Sequence, residues 1–138
     1  MKVKLLEGGT LPKRAHDGDA GYDLYSPIDF IIPAQGKIQV KLGIAIELPK
    51  NSFGQIVERS GDAIKHSVFS IGPIIDENYR GEISAILANL SFETVGYTKG
   101  NRIAQLLVLP LHQDQEIVIV NELSESNRGI NAHHSSGR

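Results

Sequence analysis

A carboxylate and an aromatic ring, Asp76 and Tyr79, lie close together in a short polar stretch near the middle of the chain. Apolar residues at 74–75 precede this stretch, and the apolar–polar run 82–86 follows it. Strand, turn and strand in this order predict a β-hairpin. At a hairpin tip the carboxylate can orient water or accept a proton, and the ring can pack on a small ligand. A solvated tip that binds nothing has the same pattern and, on these residues alone, is the commoner case.

Arg59, Ser60 and Gly61 form a second cluster with possible chemistry. A guanidinium, a hydroxyl and an accessible glycine N–H at the start of a helical turn can bind an anion. The alternative is an ordinary helix start, in which Ser60 is the N-cap and Arg59 is a surface side chain. Three residues do not decide between the two interpretations, so this cluster counts only together with others.

Two further polar residues, Asp23 and Gln105, lie next to or within apolar segments. Asp23 follows the small pair Ala20 and Gly21, where it could hold a metal-bound water or instead fix a turn through backbone N–H groups. Gln105 interrupts an apolar run, and a buried amide needs hydrogen-bond partners. These partners could be neighbouring backbone groups or a ligand oxygen.

The C-terminal residues 124–138 are polar and include Arg128, Ser135 and Ser136. A cation and two hydroxyls near glycines suit a flap that closes over phosphate, although an unstructured tail has the same composition. His133 has a histidine neighbour, but no third or fourth ligand lies near them in the sequence. A histidine-based zinc site is therefore not expected.

The composition bounds the class of protein. With 138 residues, of which 41% are hydrophobic, the chain is expected to form one compact domain. A net charge of −2 argues against general nucleic-acid binding, because that requires the neutralisation of many phosphates. The absence of cysteine excludes disulfides and thiolate chemistry.

We see no signal peptide and no apolar run of membrane-spanning length. We therefore expect a protein that is not secreted and binds no membrane, located in the cytoplasm, or nuclear or virus-associated if the source is viral.

Strands must position these residues. Eight short runs rich in Ile, Val, Leu or Tyr are separated by Gly, Pro and Asn, and they predict strands at 3–6, 22–26, 28–32, 37–48, 53–58, 82–90, 102–109 and 116–120. About one helical turn is predicted at 62–66. Many short strands with regular turns favour an all-β sandwich, barrel or jelly roll. We expect residues 1–123 to form this domain and residues 124–138 to form a C-terminal arm.

The order and spacing of these clusters resemble the trimeric dUTP pyrophosphatase (dUTPase) family. Residues 20–24 (AGYDL) look like its first motif, and residues 59–61 (RSG) look like its second. Residues 75–82 (IDENYRGE) are similar to its third motif, and residues 102–106 (RIAQL) are similar to its fourth. The resemblance covers nearly the whole chain.

This resemblance implies a fold, an activity and an assembly. The fold would be a jelly-roll-like β-barrel that forms a homotrimer. The family hydrolyses dUTP to dUMP and pyrophosphate with Mg²⁺. Its sites lie between subunits, and the C-terminal arm of one subunit closes a site that is built by two others.

The resemblance also implies a role for each matching residue. Asp76 would orient the attacking water and touch the deoxyribose 3′-hydroxyl, while Tyr79 would pack on the sugar and exclude a 2′-hydroxyl. Asp23 would hold waters of the Mg²⁺ shell. The other substrate contacts form three sets: phosphate contacts of Arg59, Ser60, Gly61 and Gln105; uracil contacts, mainly of backbone groups, at Pro73, Ile74, Ile75 and Ile83; and arm contacts of Arg128, His133, Ser135 and Ser136.

The sequence departs from the family's pattern at three places. Asp62 replaces a usual apolar residue and is expected to bring negative charge near the phosphates. Pro73 replaces a glycine and removes its N–H. Residues 130–134 replace the middle of the glycine-rich arm motif, with His133 where a ring would stack on uracil. Two other functions therefore stay open: a non-catalytic dUTPase-like protein that binds nucleotide or regulates a partner, and a dCTP deaminase, which shares the fold.

Overall fold

The computed structural model describes residues 1–112 and 115–126. This part of the chain contains ten strands and one helix. Their bounds are β1 Lys2–Leu5, β2 Tyr22–Tyr25, β3 Phe30–Ile32, β4 Lys37–Glu47, β5 Ser52–Val57, α1 Ser60–His66, β6 Val68–Ser70, β7 Ile74–Ile75, β8 Glu82–Asn89, β9 Val95–Tyr97 and β10 Arg102–Pro110. The helix α1 is much too short and too polar to cross a membrane, and the described residues contain no helix that is longer than α1.

Two antiparallel four-stranded sheets and a small ribbon build the domain. The first sheet has the strand order β1-β4-β8-β6, and the second has the order β2-β10-β5-β7. The ribbon pairs β3 with β9, with Phe30 opposite Tyr97. Every pairing is antiparallel, and neighbours in a sheet are mostly distant in sequence, as in a jelly roll. The all-β prediction and the jelly-roll-like architecture are confirmed.

Alternating side chains of both sheets form the core. Along β8 buried and half-buried residues alternate strictly, which is the period of a strand with one face toward the core. The sides that face inward are almost entirely aliphatic, so hydrophobic burial is the main force that holds the two sheets together. The largest fully buried side chains are Leu24, Ile32, Leu42, Ile44, Ile46, Ile56, Ile83, Leu87, Ile103 and Leu106.

Seven of the eight predicted strands are present, with ends shifted by one or two residues. Two short strands, β6 and β9, were not predicted from the sequence, because three residues are too few to establish a period. The helix begins at Ser60 rather than at residue 62.

The predicted strand at 116–120 is wrong for the isolated chain. These residues form no strand, and the side chains of Ile117 and Ile119 are 96% and 97% exposed. A strand requires a neighbour that supplies hydrogen bonds, and this apolar run has none in the described part of its own chain. We name residues 115–123 the terminal apolar segment.

Candidate active site

Three of the sequence clusters meet at one cavity of about 310 Å³. The segment before β2, the start of α1 and strand β10 each contribute to its wall. These elements come together because β10 pairs with both β2 and β5, and α1 follows β5. The lining residues are Ala15, His16, Asp19, Ala20, Gly21, Asp23, Arg59, Ser60, Gly61, Arg102 and Gln105.

Asp23 is held between two arginines. Its Oδ1 accepts a hydrogen bond from Arg59 Nε at 3.1 Å, and its Oδ2 accepts one from Arg102 Nη1 at 3.3 Å. The carboxylate is largely buried, so loss of the arginines would leave an unpaired buried charge, which is strongly destabilising. A carboxylate oxygen has two acceptor positions, so each oxygen of Asp23 can also accept a bond from a metal-bound water.

Arg59 immediately precedes the first turn of α1. It is the N-cap residue by position, but its side chain does not cap the helix. Ser60 and Gly61 lie in the first turn, where backbone N–H groups have no acceptor within a helix. Ser60 is thus not the N-cap that the simpler interpretation required. The two N–H groups, the Ser60 hydroxyl and the Arg59 guanidinium border the same cavity, and together they can bind an anion.

Gln105 reaches the cavity from β10. Its Nε2 donates a hydrogen bond to the Glu58 carbonyl at 2.9 Å, so one of the two partners foreseen from the sequence, neighbouring backbone, is present. Gly21 lies directly against this amide: a Cβ at Gly21 would come within 2.3 Å of Gln105 Oε1 and 3.1 Å of its Cβ. The absence of a side chain at Gly21 therefore gives the Gln105 amide its place in the cavity wall.

The predicted β-hairpin at Asp76 and Tyr79 is wrong, because its two strands do not pair with each other: β7 pairs with β5 in one sheet, and β8 pairs with β4 and β6 in the other. The turn at 76–81 thus connects the two sheets, and we use the word hairpin only for this strand–turn–strand segment, residues 74–83. Asp76 is exposed, and its carbonyl accepts a hydrogen bond from Tyr79 N at 3.1 Å. Tyr79 Oη donates to the Glu82 carbonyl at 3.1 Å, which fixes the ring across the turn. The ring lies over Gly81, where a Cβ would come within 2.3 Å of the Tyr79 hydroxyl oxygen. The carboxylate of Asp76 thus has free access to solvent beside an ordered aromatic ring.

The hairpin can offer backbone groups rather than side chains to a base. Ile75 and Ile83 are buried in the core, while Ile74 is half exposed. The Pro73 carbonyl accepts a hydrogen bond from Ile56 N at 3.4 Å, so this carbonyl already takes part in the fold. The side chains of Ile75 and Ile83 cannot touch a ligand, and any contact at these positions involves the main chain.

The cavity and the hairpin lie far apart within one chain. Ile75 pairs with Gly54 on β5, which places Asp76 beside Phe53, and Glu77 Oε2 accepts a hydrogen bond from Asn51 N at 2.9 Å. Arg59 follows the opposite end of β5, about 20 Å away at the usual rise of a strand. One chain therefore does not bring the Asp76 carboxylate to the anion-binding cavity.

Sequence reasoning missed several residues of this cavity. Arg102 lay inside a quoted motif but received no role, although a cation directly before a buried strand often signals a charged partner. Asp19 and His16 line the cavity and contact each other, with His16 N donating to Asp19 Oδ2 at 2.8 Å. Asp19 belongs to the sequence cluster 19–24 but had no predicted role, and nothing in the sequence alone marked His16 as part of the site.

The four predicted arm residues lie outside the described residues. They are Arg128, His133, Ser135 and Ser136, and their contacts with substrate stay predictions. The division into a domain at 1–123 and an arm at 124–138 also stays a prediction.

The charges that line the cavity cancel. Asp19 and Asp23 oppose Arg59 and Arg102, so the lining has no excess positive charge while His16 is neutral. A polyphosphate would need additional cations to bind here. Among the described residues no group of three or more His, Cys, Asp or Glu side chains could hold a metal ion.

Comparisons with known proteins agree with this arrangement. The dUTPase family profile matches residues 7–137. The deoxyuridine 5′-triphosphate nucleotidohydrolase of Paramecium bursaria Chlorella virus 1 is 40% identical over 134 residues, which are 97% of this chain and 94% of the relative. The relative of the same name from Clostridioides difficile is 43% identical over 140 residues, covering 99% and 97% of the two chains.

Solved structures with the same fold are also similar in sequence. A point mutant of the Staphylococcus bacteriophage 80alpha dUTPase with dUpNHpp has a TM-score of 0.91 and 28% identity, covering 99% of this chain and 98% of the other. A mutant dUTPase from phage phi11 of S. aureus, described with a coordinated structural Mg(II) ion, has a TM-score of 0.81 and 25% identity over 88% and 96% of the chains. With a matching profile over nearly its full length and such relatives, this chain belongs to the dUTPase family.

Proposed function

We propose that this protein hydrolyses dUTP to dUMP and pyrophosphate, with Asp76 orienting the attacking water. The observation that carries the proposal is the convergence of three separate sequence clusters on one cavity with two arginines, in a member of the dUTPase family. The relatives that bear the name deoxyuridine 5′-triphosphate nucleotidohydrolase support the choice of substrate. For the location we keep the cytoplasm, or the nucleus or an association with virus if the source is viral.

The cavity would receive the phosphates. The Arg59 guanidinium, the Ser60 hydroxyl, the first-turn N–H groups and the Gln105 amide all border it, and phosphate oxygens accept hydrogen bonds from each of these donors. As the α-phosphorus is attacked, charge moves toward the leaving pyrophosphate, and fixed donors stabilise that charge without reorganisation.

The chemical step needs one positioned base. The water oxygen forms a bond to the α-phosphorus while the bond to the bridging oxygen of pyrophosphate breaks, and the proton of the water passes to the Asp76 carboxylate. The exposure of Asp76 at the hairpin tip supports this role, because the carboxylate can reach a neighbouring molecule.

Mg²⁺ fits the donor set of the cavity. Asp23, with its unfilled acceptor positions, would hold the water shell of the ion, and Asp19 stands at the same wall. When bound, the ion would neutralise phosphate charge and strengthen the electrophilic character of phosphorus. The balanced charge of the lining supports a requirement for this ion. The two arginines are paired with carboxylates, so they do not neutralise the negative charge of a triphosphate.

The hairpin would select the sugar and the base. The Tyr79 ring is fixed by its bond to the Glu82 carbonyl, so it offers a rigid apolar face with no room for a ribose 2′-hydroxyl. Main-chain groups near Ile74 and Ile83 would pair with the uracil edge, because the buried side chains at 75 and 83 leave only the backbone for this purpose.

We further propose a homotrimer with sites shared between subunits. The separation of about 20 Å along β5 between Asp76 and the cavity supports this assembly, since a site built from the hairpin of one chain and the cavity of another removes the gap. Such a head-to-tail interface closes into a ring. The exposed side chains of Ile117 and Ile119 give independent support, because a second copy of the chain would cover them.

The C-terminal arm completes the proposal. Arg128, Ser135 and Ser136 would add a cation and two hydroxyls over the phosphates, and His133 would stack on the base. Deletion of residues 127–138 should lower hydrolysis sharply and leave the fold intact. Unchanged hydrolysis would show that the arm has no part in catalysis.

The test is pyrophosphate release from dUTP, compared with dCTP, dTTP and UTP, each with and without Mg²⁺. We expect turnover with dUTP alone, which depends on Mg²⁺ and is abolished in Asp76→Asn. A wild-type rate no higher than that of Asp76→Asn would identify the non-catalytic nucleotide-binding protein instead. Ammonia release from dCTP would identify a deaminase.

A further inference from the structure

Asp62 is a buried carboxylate on the helix that follows Arg59. It is 8% exposed and is the buried residue of α1. A buried carboxylate without partners is strongly destabilising. Asp62 has two partners: Tyr97 Oη donates to its Oδ1 at 3.1 Å, and Arg59 Nη1 donates to its Oδ2 at 3.5 Å. The expectation that Asp62 brings free negative charge to the phosphates is therefore incomplete, because the charge faces Tyr97 and Arg59.

Tyr97 is itself held in place by the core. It ends β9, is buried, and its ring stacks on Phe30 with 5.0 Å between ring centroids and 19° between ring planes. Burial, and then the neighbouring Asp62 carboxylate, raise the pKa of the Tyr97 hydroxyl far above its usual value. The hydroxyl thus stays a neutral donor, and its position follows from strand pairing and stacking rather than from the flexible loops around it.

Arg59 donates hydrogen bonds on two sides. Asp23 accepts from Nε, and Asp62 accepts from Nη1, which also donates to the Arg102 carbonyl at 3.4 Å. Among the described residues, Nη2 has no hydrogen-bond partner. Two carboxylates on different elements therefore fix the plane of the guanidinium and leave one nitrogen for another ligand.

The positions of the pair exclude direct contact with a ligand in the anion-binding cavity. Asp62 and Tyr97 line a different cavity of about 290 Å³, which also contains His66, Gly96 and Asn101. Arg59 and Arg102 line both cavities. Any influence of the pair on an anion in the first cavity must therefore act through the arginines.

We propose that the buried Asp62–Tyr97 pair positions the Arg59 guanidinium, so that its Nη2 edge meets the substrate phosphates. Asp62 and Tyr97 are positioning residues for phosphate binding, and this inference rests on the proposed function of the cavity. The pair is not expected to stabilise the fold more than apolar side chains of similar size would, because replacement of paired buried polar groups by apolar ones is often neutral or stabilising. Its effect is geometric: without Asp62 only the long bond of 3.4 Å from Nη1 to the Arg102 carbonyl opposes rotation of the guanidinium about the Nε–Cζ bond.

The test uses the double variant Asp62→Leu/Tyr97→Phe, which replaces both polar groups by apolar ones and avoids an unpaired buried group. We expect a thermal midpoint equal to or above that of the wild type, together with a KM for dUTP raised about tenfold at nearly unchanged kcat, as for loss of a binding contact. The variant Arg59→Ala serves as the background control. Because Arg59→Ala is expected to be inactive, the readout in this background is the dissociation constant of a non-hydrolysable dUTP analogue. The double substitution should raise that constant in the wild-type background and change it no further in Arg59→Ala, because coupled residues are not additive.

A measurement on the free protein separates this inference from the proposed activity. Nitrogen-15 NMR of the arginine side chains reports the rotation of Arg59 about its Nε–Cζ bond without any ligand. We expect rotation at least about tenfold faster in the double variant than in the wild type, with Arg102 as the internal reference. Equal rotation rates, or an effect on the dissociation constant of the analogue that adds in full to that of Arg59→Ala, would overturn the inference. Absence of dUTP turnover in the wild type would overturn only the proposed function.

Discussion

Asp76 and Arg59 lie at opposite ends of β5, about 20 Å apart along the strand, although both belong to the proposed reaction. If one site takes its hairpin from one chain and its cavity from another, two inactive variants should complement each other. Asp76→Asn has an intact cavity, and Arg59→Ala has an intact hairpin. When the two variant proteins are mixed, unfolded together and refolded, they form mixed trimers. About a quarter of the sites should then be active, because subunits meet at random in a closed ring.

The controls for this complementation are each variant refolded alone and a mixture made without unfolding. Both should stay inactive. A refolded mixture as inactive as the single variants would mean that one chain supplies both residues, and the shared-site model would be wrong.

The terminal apolar segment should be needed for assembly. The substitutions Ile117→Asp and Ile119→Asp place charges where a partner chain would cover the side chains, and desolvation of these charges opposes association. Sedimentation should show a wild-type trimer and a smaller species for the double variant. The far-ultraviolet circular dichroism should be unchanged, because both side chains are outside the core of their own chain. Lys50→Asp, at an exposed turn, is the matched control for an added charge.

Gly21 should be intolerant of any side chain because of Gln105. In Gly21→Ala the new Cβ displaces the Gln105 amide, which then loses its bond to the Glu58 carbonyl. Loss of one oriented donor should lower kcat/KM for dUTP about tenfold. The control is Gly96→Ala, where a Cβ would meet only Ile31 at 3.9 Å. Equal kinetics of the two variants would show that the place of Gln105 is unimportant.

Much of this fold was predictable because the strands carry clear patterns. β8 alternates throughout and β4 alternates up to Leu42, and their bounds in the structure agree with those from the sequence to within a residue. The segment 116–120 is rich in Ile and Val, which also favours a strand, but it forms no strand in its own chain. A sequence pattern records that a segment is suited to a sheet, but it does not record which chain supplies the neighbouring strand.

The candidate site was predictable only in part, for a similar reason. Arg59 and Gln105 were recognised because a polar residue in a motif or an apolar strand is conspicuous. The contact between Asp62 and Tyr97 joins two residues that are 35 positions apart, and each is ordinary by itself. They meet only because the β3–β9 ribbon lies beside α1 in the fold, and no local sequence spacing encodes that contact.

Tyr79 should control the choice between deoxyribose and ribose. In Tyr79→Ala the rigid ring is gone, a 2′-hydroxyl has room, and the ratio of kcat/KM for dUTP to that for UTP should fall at least about tenfold. Tyr79→Phe keeps the ring but loses the bond to the Glu82 carbonyl that fixes it, so its ratio should fall much less than that of Tyr79→Ala. If both variants lose selectivity equally, the hydroxyl rather than the ring excludes the ribose.

Tyr97 should make the fold less stable at high pH. In an unfolded chain a tyrosine hydroxyl loses its proton near pH 10, whereas burial and the Asp62 carboxylate keep the pKa of folded Tyr97 well above that value. Above about pH 10 the unfolded state therefore binds fewer protons than the folded state, and the free energy of unfolding falls as pH rises, by up to about 1.4 kcal/mol per pH unit. Below this pH the full contribution is present.

Two measurements check this sign. Denaturant titrations between pH 8 and about 11 should show a steeper loss of stability for the wild type than for Asp62→Leu/Tyr97→Phe, which lacks the titrating group. Ultraviolet absorbance should show that one of the four tyrosines forms its phenolate only when the protein unfolds. Parallel stability curves for the two proteins would mean that the Tyr97 hydroxyl titrates normally in the folded state, and that burial against Asp62 does not hold its proton.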